Sequence, residues 1–338
     1  MGEALPNKNQ ECVKSPLPVN SPLSCLYEPA YHIPVMCEES MRALAVKPQG
    51  IYVDCTLGGG GHFQAIIDRL GAQGMAIGMD RDPDAVAWCT GHIDRKGVNV
   101  VLKQERFSAL DAVLEGLHID AVDGVLLDLG VSSHQITDEK RGFSYMKDAR
   151  LDMRMNPADA ATAADILRES TVQQLAEVLA KFGEIRNPVR MAEAIKNYMN
   201  HDALTTSGEL KDCLQMEYGG AMKIKVLAKL FQALRIAVNN ELSELGLCCE
   251  QAVSRLRHGG RLVVISYHSL EDRIVKNFMR DAEKGCVCPP EIPMCRCGGK
   301  KTLKRIITRA IVSSADEISR NPASRSARLR VAEKINPA

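Results

Sequence analysis

The sequence has no uninterrupted apolar run approaching the roughly 18 residues that a membrane-spanning helix needs. Its N-terminus has no basic stretch leading into an apolar one. The expectation is a chain that neither spans a membrane nor is secreted. A regular cysteine framework is missing too: the 12 Cys are scattered from Cys12 to Cys297. Disulfide scaffolds belong to exported chains, so a reduced, cytoplasmic compartment fits better. There is no overall excess of charge, the net value being +1. That figure hides an asymmetry, because from Arg296 onward there are 11 Lys and Arg against 3 Asp and Glu. Such an end is either a polyanion contact or a solvated basic edge. What remains is ordinary: 338 residues, enough for about two domains, with 45% hydrophobic and 25% charged residues, which excludes a fibrous or disordered chain.

Residues 1–30 hold five of the 15 prolines and show neither helical nor strand periodicity, which predicts a flexible tail. Order is expected from about Tyr31. Short Val- and Ile-rich runs then begin at Ile51, Met75, Asn99 and Val122, at spacings of 24, 24 and 23 residues, and a fifth covers Arg261–Ser266. Runs apolar on both faces and separated by helix-sized segments are what a parallel sheet covered by helices requires. The fold class read here is α/β. Between the fourth and fifth runs the pattern is helical. Thr171-x-x-Gln174 and Thr206-x-x-Glu209 read as capping boxes, Gly183 as a left-handed helix end, and Pro188 as a first-turn residue, while Leu227, Leu230, Phe231 and Leu234 stripe one face. A helical insertion from about Ile136 to Arg235 follows. Leu303–Thr308 and Arg328–Ala332 alternate at period two, as edge strands would.

The densest chemical signal is Val53-Asp54-Cys55-Thr56-Leu57-Gly58-Gly59-Gly60-Gly61-His62, a strand running through a glycine loop into a helix. Glycines there permit positive φ and close approach of a ligand to the backbone. A dinucleotide fingerprint would need a third glycine where Phe63 or Gln64 stands, and no Lys-Ser/Thr follows to make a phosphate loop. Asp80 closes the second strand, where a carboxylate can accept both hydroxyls of an adenosine ribose; Asp82 can cap the helix opening at Pro83. A glycine loop and an acid at the next strand end, without a phosphate fingerprint, point to S-adenosylmethionine over NAD. Phe107, after the third strand, is either an adenine platform or core. Asp128, after the fourth, begins a polar stretch through Ser132, Ser133 and Gln135, and could itself be a cap.

Leu126–Ser133, Arg141-Gly142-Phe143-Ser144, Leu151–Met155, Phe231–Ile236 and Ile265–Arg273 resemble motifs of the bacterial 16S ribosomal RNA cytosine-N4-methyltransferases, the RsmH or MraW family, from about His32 to Ala332. The resemblance implies a Rossmann-like class I methyltransferase dependent on S-adenosylmethionine. Its methyltransferase domain would comprise 31–135 and 236–338, with 136–235 an inserted substrate-recognition domain. The substrate implied is the N4 amine of a cytidine in the decoding region of 16S ribosomal RNA, free or within the small subunit. Cofactor contacts are carried over to Gly60, Gly61, His62, Asp80, Phe107, Asp128 and Gln135. This chain departs from the family in its 30-residue leader, in Pro188 and Met191, and in the cysteine pairs near its end.

Methyl transfer to an amine is an in-line displacement, so the protein must mainly align the reactants and accept the amine's proton. Amino-methyltransferases often use an Asp/Asn-Pro-Pro-aromatic loop, where this chain has Asp128-Leu129-Gly130-Val131. The catalytic expectation is Asp128, with Ser132, Ser133 and His268 near the flipped base; Ser269-x-x-Asp272 could equally be a helix cap. RNA contacts are expected from Lys300, Lys301, Lys304, Arg305, Arg309, Arg325, Arg328 and Arg330, and from Arg141, Arg154, Arg186 and Arg190 of the insertion. No membrane partner is expected, and a homodimer is left open. Cys286-x-Cys288 and Cys295-x-Cys297 are either zinc ligands or reduced structural thiols; C-x-C is tighter than the usual spacing, so no metal ligand is assigned. Two rivals are a non-catalytic RNA-binding assembly factor, which would not need the intact loop, and a nicotinamide oxidoreductase, which would need the missing glycine.

Overall fold

A computed structural model describes residues 33–220, 223–286, 288, 297 and 299–336. The tail expected over 1–30, and Cys295, lie outside the described residues. Among the described residues, eight strands form one sheet: β1 (Ile51–Asp54), β2 (Met75–Asp80), β3 (Asn99–Gln104), β4 (Val122–Asp128), β5 (Leu256–Ser266), β6 (Leu303–Arg305), β7 (Ile311–Val312) and β8 (Arg328–Lys334). Their order is β3-β2-β1-β4-β5-β8-β6, with β7 also on β8. The first five are parallel, and β8 runs antiparallel to β5. All five parallel runs read from the sequence are strands, and the α/β class follows from them.

Both faces of the sheet are buried. On β4, Val125 and Leu127 enter one apolar cluster with Val53, Ile77 and Val264, while Leu126 enters another with Tyr52, Val263 and Leu329. Alternate residues thus pack on opposite layers, which is why the runs are apolar without alternation. A separate core is built by the helical segment, including Leu167, Leu179, Ile195, Leu214, Leu230 and Phe231. Its helices begin where expected: Thr171 and Thr206 close capping boxes with Gln174 and Glu209, and Pro188 opens the Pro188–Met199 helix. Gly183 does not take the left-handed position. It is the last helical residue, buried 2.9 Å (as a Cβ would measure it) from the Lys229 carbonyl, and Glu184 turns left-handed instead at φ +48°. Close helix packing, rather than a turn, requires the glycine. No helix among the described residues is long and apolar enough to cross a membrane.

The two closing strands correct the sequence reading. Leu303–Arg305 is shorter than the run suggested, and β8 is interior, paired with β5 on one side and with β6 and β7 on the other. Period two arises here because Arg330 is buried and neutralised: its guanidinium donates to both carboxylate oxygens of Asp272 at 2.7 and 3.1 Å. Arg330 is therefore engaged within the fold and not available to RNA as the sequence reading expected. Arg141 is likewise engaged, buried against Asp82 and Asp84, while Arg154 is paired with Asp152, Arg190 with Glu217 and Arg305 with Glu283. Lys300, Lys301, Lys304, Arg186, Arg309, Arg325 and Arg328 are exposed. Removing one partner of a buried pair leaves the other charge uncompensated. Arg330→Ala should therefore lower unfolding free energy by about 3 kcal/mol in chemical denaturation, whereas exposed Arg328→Ala should stay within about 0.5 kcal/mol.

Candidate cofactor and active site

In this order the chain departs from β1 to one side and from β4 to the other, so a crevice opens beyond the carboxyl ends of these neighbouring strands. A cavity of about 280 Å³ lies there. It is lined by the loop after β1 (Cys55–Gly58), by Asp80 after β2, by Phe107 after β3, by the stretch Asp128–Ser133 after β4, and by Tyr267 and Glu271 after β5. Every parallel strand thus delivers a residue to one edge.

Asp80 is held by two backbone donors: Gly58 N–H to Oδ2 at 2.8 Å and Asp82 N–H to Oδ1 at 2.9 Å. Each oxygen keeps a further lone pair for another hydroxyl. Burial raises its pKa to about 6, against the pull of those two N–H groups. Behind the loop, Asp54 is fully buried. Its Oδ1 accepts from Thr56 N–H at 3.1 Å, while Oδ2 has no partner, and burial raises its pKa to about 7. Thr56 in turn accepts the Asp128 N–H at 2.6 Å, tying the ends of β1 and β4 together.

Asp128 accepts a hydrogen bond from the Tyr267 hydroxyl at 2.8 Å, and its other oxygen lies 3.5 Å from His62 Nδ1. His62 Nε2 is 2.9 Å from the Val35 carbonyl, and burial lowers the imidazole's pKa to about 4, so it is neutral at physiological pH. Burial and the adjoining Asp128 push the Tyr267 phenol well above its usual range. The lining carries four carboxylates, Asp80, Asp128, Glu241 and Glu271, and two guanidiniums, Arg81 and Arg235. Both guanidiniums are already held, Arg81 by Asp159 at 2.8 Å and Arg235 by Glu241 at 2.9 Å. An acidic cavity whose cations are internally engaged suits a cationic ligand and repels a pyrophosphate.

Of the residues expected at the site, Gly61, His62, Asp80, Phe107, Asp128, Ser132, Ser133 and Gln135 line the cavity. Gly60 and His268 are not among the lining residues. Gly60 has φ +80°, and a Cβ there would lie 2.9 Å from Cys89 Sγ and from Ile93; at Gly61 it would meet Pro34 at 2.8 Å. These two glycines are demanded by the protein's own packing. The one that faces the ligand space without such a neighbour is Gly58, at φ +49°. His268 is the N-cap of the Ser269–Lys284 helix: Glu271 N–H donates to its Nδ1 at 3.4 Å, and its Nε2 lies 3.1 Å from Glu271 Oε1. Gln135 closes a capping box with Ser132, and its amide donates to Asp82 Oδ2 at 2.7 Å, so both polar ends serve the wall. Asp82 caps the Pro83–His92 helix as expected.

Sequence reasoning missed Gly58, Thr56, Tyr267, Glu271 and Arg235 as site residues. For Tyr267 the signal was its place immediately after β5, the strand paired with β4, which Asp128 ends. For Arg235 the signal was its place in the Phe231–Ile236 motif, although the helix stripe around it marks only its neighbours as core.

Comparison with known proteins places this geometry in context. A family model described as the MraW methylase family matches residues 29–335. "Ribosomal RNA small subunit methyltransferase H" of Heliobacterium mobile is 44% identical over 309 residues, covering 90% of this chain and 99% of its own. The protein of the same name from a Dehalococcoides mccartyi strain is 45% identical over 305 residues, covering 90% of this chain and 86% of its own.

The two buried ionisable groups behind the loop predict opposite pH dependences. Asp54 keeps its proton in the fold up to about pH 7 but in the unfolded chain only to about 3.8, so stability falls as pH rises through that interval. His62 is neutral in the fold down to about pH 4, whereas the unfolded chain takes a proton below 6.5, so its contribution is lost as pH falls through that interval. Asp54→Asn should therefore gain thermal stability over the parent at pH 8 relative to pH 5. A difference in Tm that is the same at both pH values would exclude Asp54 as the titrating group.

Proposed function

Because the chain belongs to the MraW methylase family, we propose that it is a S-adenosylmethionine-dependent methyltransferase that methylates the N4 amine of a cytidine in the decoding region of 16S ribosomal RNA. The observation that carries the reading is the acidic cavity at the carboxyl edge of the sheet, with Asp80 on one flank and the Asp128–Tyr267 pair on the other. Its residues fit the cofactor. The Asp80 oxygens have capacity for a ribose diol, Phe107 offers an aromatic face, and the surplus of carboxylate favours a sulfonium and an amino group. When bound, S-adenosylmethionine supplies an electrophilic methyl group.

The protein's own contribution is positioning, exclusion of water and proton handling. Asp128 sits where a carboxylate can accept a proton from an attacking exocyclic amine and localise its lone pair. The Tyr267 hydroxyl orients one of its oxygens, leaving the other toward His62 and the cavity. Ser132 and Ser133 lie on the same wall and can hydrogen-bond the base. His268 acts at one remove, by capping the helix that carries Glu271. The target base must leave its stack to enter.

Residues 136–235, with their separate core, are proposed as the substrate-recognition unit inserted into the methyltransferase domain of 31–135 and 236–338. The exposed cations Lys300, Lys301, Lys304, Arg309, Arg325 and Arg328 are proposed to meet RNA phosphates. A cytoplasmic enzyme acting on 16S ribosomal RNA or the small subunit, as monomer or homodimer, is consistent with all of this.

Asp128→Asn should reduce methyl transfer by roughly 100-fold or more. Tyr267→Phe should reduce it less, and binding of S-adenosylhomocysteine by each variant separates chemistry from cofactor affinity. His268→Ala should cost about 1 kcal/mol of stability through the lost cap, with turnover within a few-fold of the parent. Full activity in Asp128→Asn would remove Asp128 from the mechanism.

Mass mapping of small-subunit RNA from cells with and without this protein should show one cytidine that loses its N4 methyl group. Affinity for that RNA should fall steeply with salt, each phosphate contact adding about 0.7–0.9 to the log–log slope. Lys300→Ala with Lys304→Ala should flatten the slope, and Arg330→Ala should not.

A further inference from the structure

The Ser269–Lys284 helix ends at Gly285, whose N–H donates to the Asp281 carbonyl at 2.8 Å and whose φ is +72°. Immediately beyond it, Cys286 and Cys288 meet Cys297, which precedes β6. The three Sγ atoms all lie within 4.8 Å of one another, and Cys286 and Cys297 are 3.8 Å apart. None of the three is in a disulfide, a bond of about 2.05 Å. Tetrahedral thiolate coordination with Zn–S of about 2.3 Å sets neighbouring sulfurs about 3.8 Å apart, so Cys286 and Cys297 are already at the spacing of two ligands on one ion. Thiols packed only as small hydrophobes would be buried, as Cys55, Cys89, Cys248 and Cys249 are; these three are half-buried or exposed.

The backbone around the cluster is arranged to hold it. A Cβ on Gly299 would lie 1.9 Å from the Gly285 carbonyl oxygen, and one on Gly285 would lie 2.5 Å from Lys301 N. The two cysteine-bearing segments cross at a distance that only glycine permits. Gly299 N–H also donates to Cys297 Sγ at 3.4 Å, the kind of outer hydrogen bond that orients and stabilises a thiolate ligand.

We infer that Cys286, Cys288 and Cys297 supply three of the four ligands of a structural zinc ion that clasps the end of the Ser269–Lys284 helix to the start of β6. The ion replaces the thiol protons, which are released to solvent on binding, and no oxidation is involved. The site is more than the sequence spacing conveyed, because Cys297 is brought back to Cys286 by the glycine crossing. Its consequence is to fix the segment carrying Lys300, Lys301 and Lys304 beside the sheet. The inference does not depend on the methyltransferase reading, since the cluster shares no residue with the cavity.

Elemental analysis of the full chain, purified under reducing conditions without chelator, should find close to one zinc per protein. Exchange with Co²⁺ should produce thiolate-to-metal charge-transfer absorption, with an intensity corresponding to three or more thiolates. Cys286→Ser and Cys297→Ser should each weaken metal affinity at least tenfold, while Cys213→Ser, in the helical core, should leave it unchanged. Circular dichroism and S-adenosylhomocysteine binding by each variant verify that the fold persists. Absence of charge-transfer absorption after reconstitution with Co²⁺, evidence of fewer than three thiolates, unchanged affinity in both serine variants, or a Cys286–Cys297 disulfide in freshly prepared protein would each overturn the proposal.

Discussion

Asp82 is the point at which three separate parts of the chain are joined, and the cavity depends on that junction. Its carboxylate caps the Pro83–His92 helix, accepts the Gln135 amide, and takes both terminal nitrogens of Arg141 at 3.3 and 2.9 Å. Arg141 also reaches Asp84 and the carbonyls of Arg154 and Met155. Asn239 completes the clasp, accepting from Met155 N–H while donating to the Met153 carbonyl. A buried carboxylate and a buried guanidinium satisfied on this scale make a hinge point into a fixed one, because any movement would strand a charge in an apolar setting. The segment after β4 and the entry to the helical insertion are thereby held against β2.

The cavity itself is held at some electrostatic cost. Asp54, Asp80 and Asp128 crowd the carboxyl ends of three adjacent strands, and burial raises the first two well above the normal carboxylate range. Folding alone would not select such a cluster. It is tolerated because backbone N–H groups and Tyr267 satisfy part of each carboxylate, and because a cationic ligand would relieve the repulsion that remains. The unpartnered Asp54 oxygen lies at the centre of this arrangement.

Several arginines within motifs that mark the family serve architecture. Arg141 and Arg154 organise the entry to the insertion, and Arg235 secures Glu241 beside the cavity. Arg141, read as an RNA contact from charge, is instead buried against Asp82, since charge says nothing about whether a carboxylate lies within reach in the fold. The same limit explains His268 and Tyr267. Adjacent in the chain after β5, they were chemically plausible in either role, and only the direction of the strand's exit sends the phenol to Asp128 and makes the imidazole a helix cap. Glycines behave alike: Gly58, Gly60 and Gly61 are indistinguishable as letters, yet two of them accommodate Cys89, Ile93 and Pro34, while Gly58 faces the ligand space.

The linear order of residues was sufficient for the five parallel strands, the capping boxes at Thr171 and Thr206, the helical character of the insertion, and the acids at the ends of β2 and β4. Each of these is decided by local periodicity or by groups three or four residues apart. Folding in three dimensions decided which acids share a cavity, which cations are neutralised, that β8 lies inside the sheet, and that Cys297 returns to Cys286. Most of those outcomes rest on contacts between residues from 11 to 139 positions apart, whose burial and pairing no local pattern encodes.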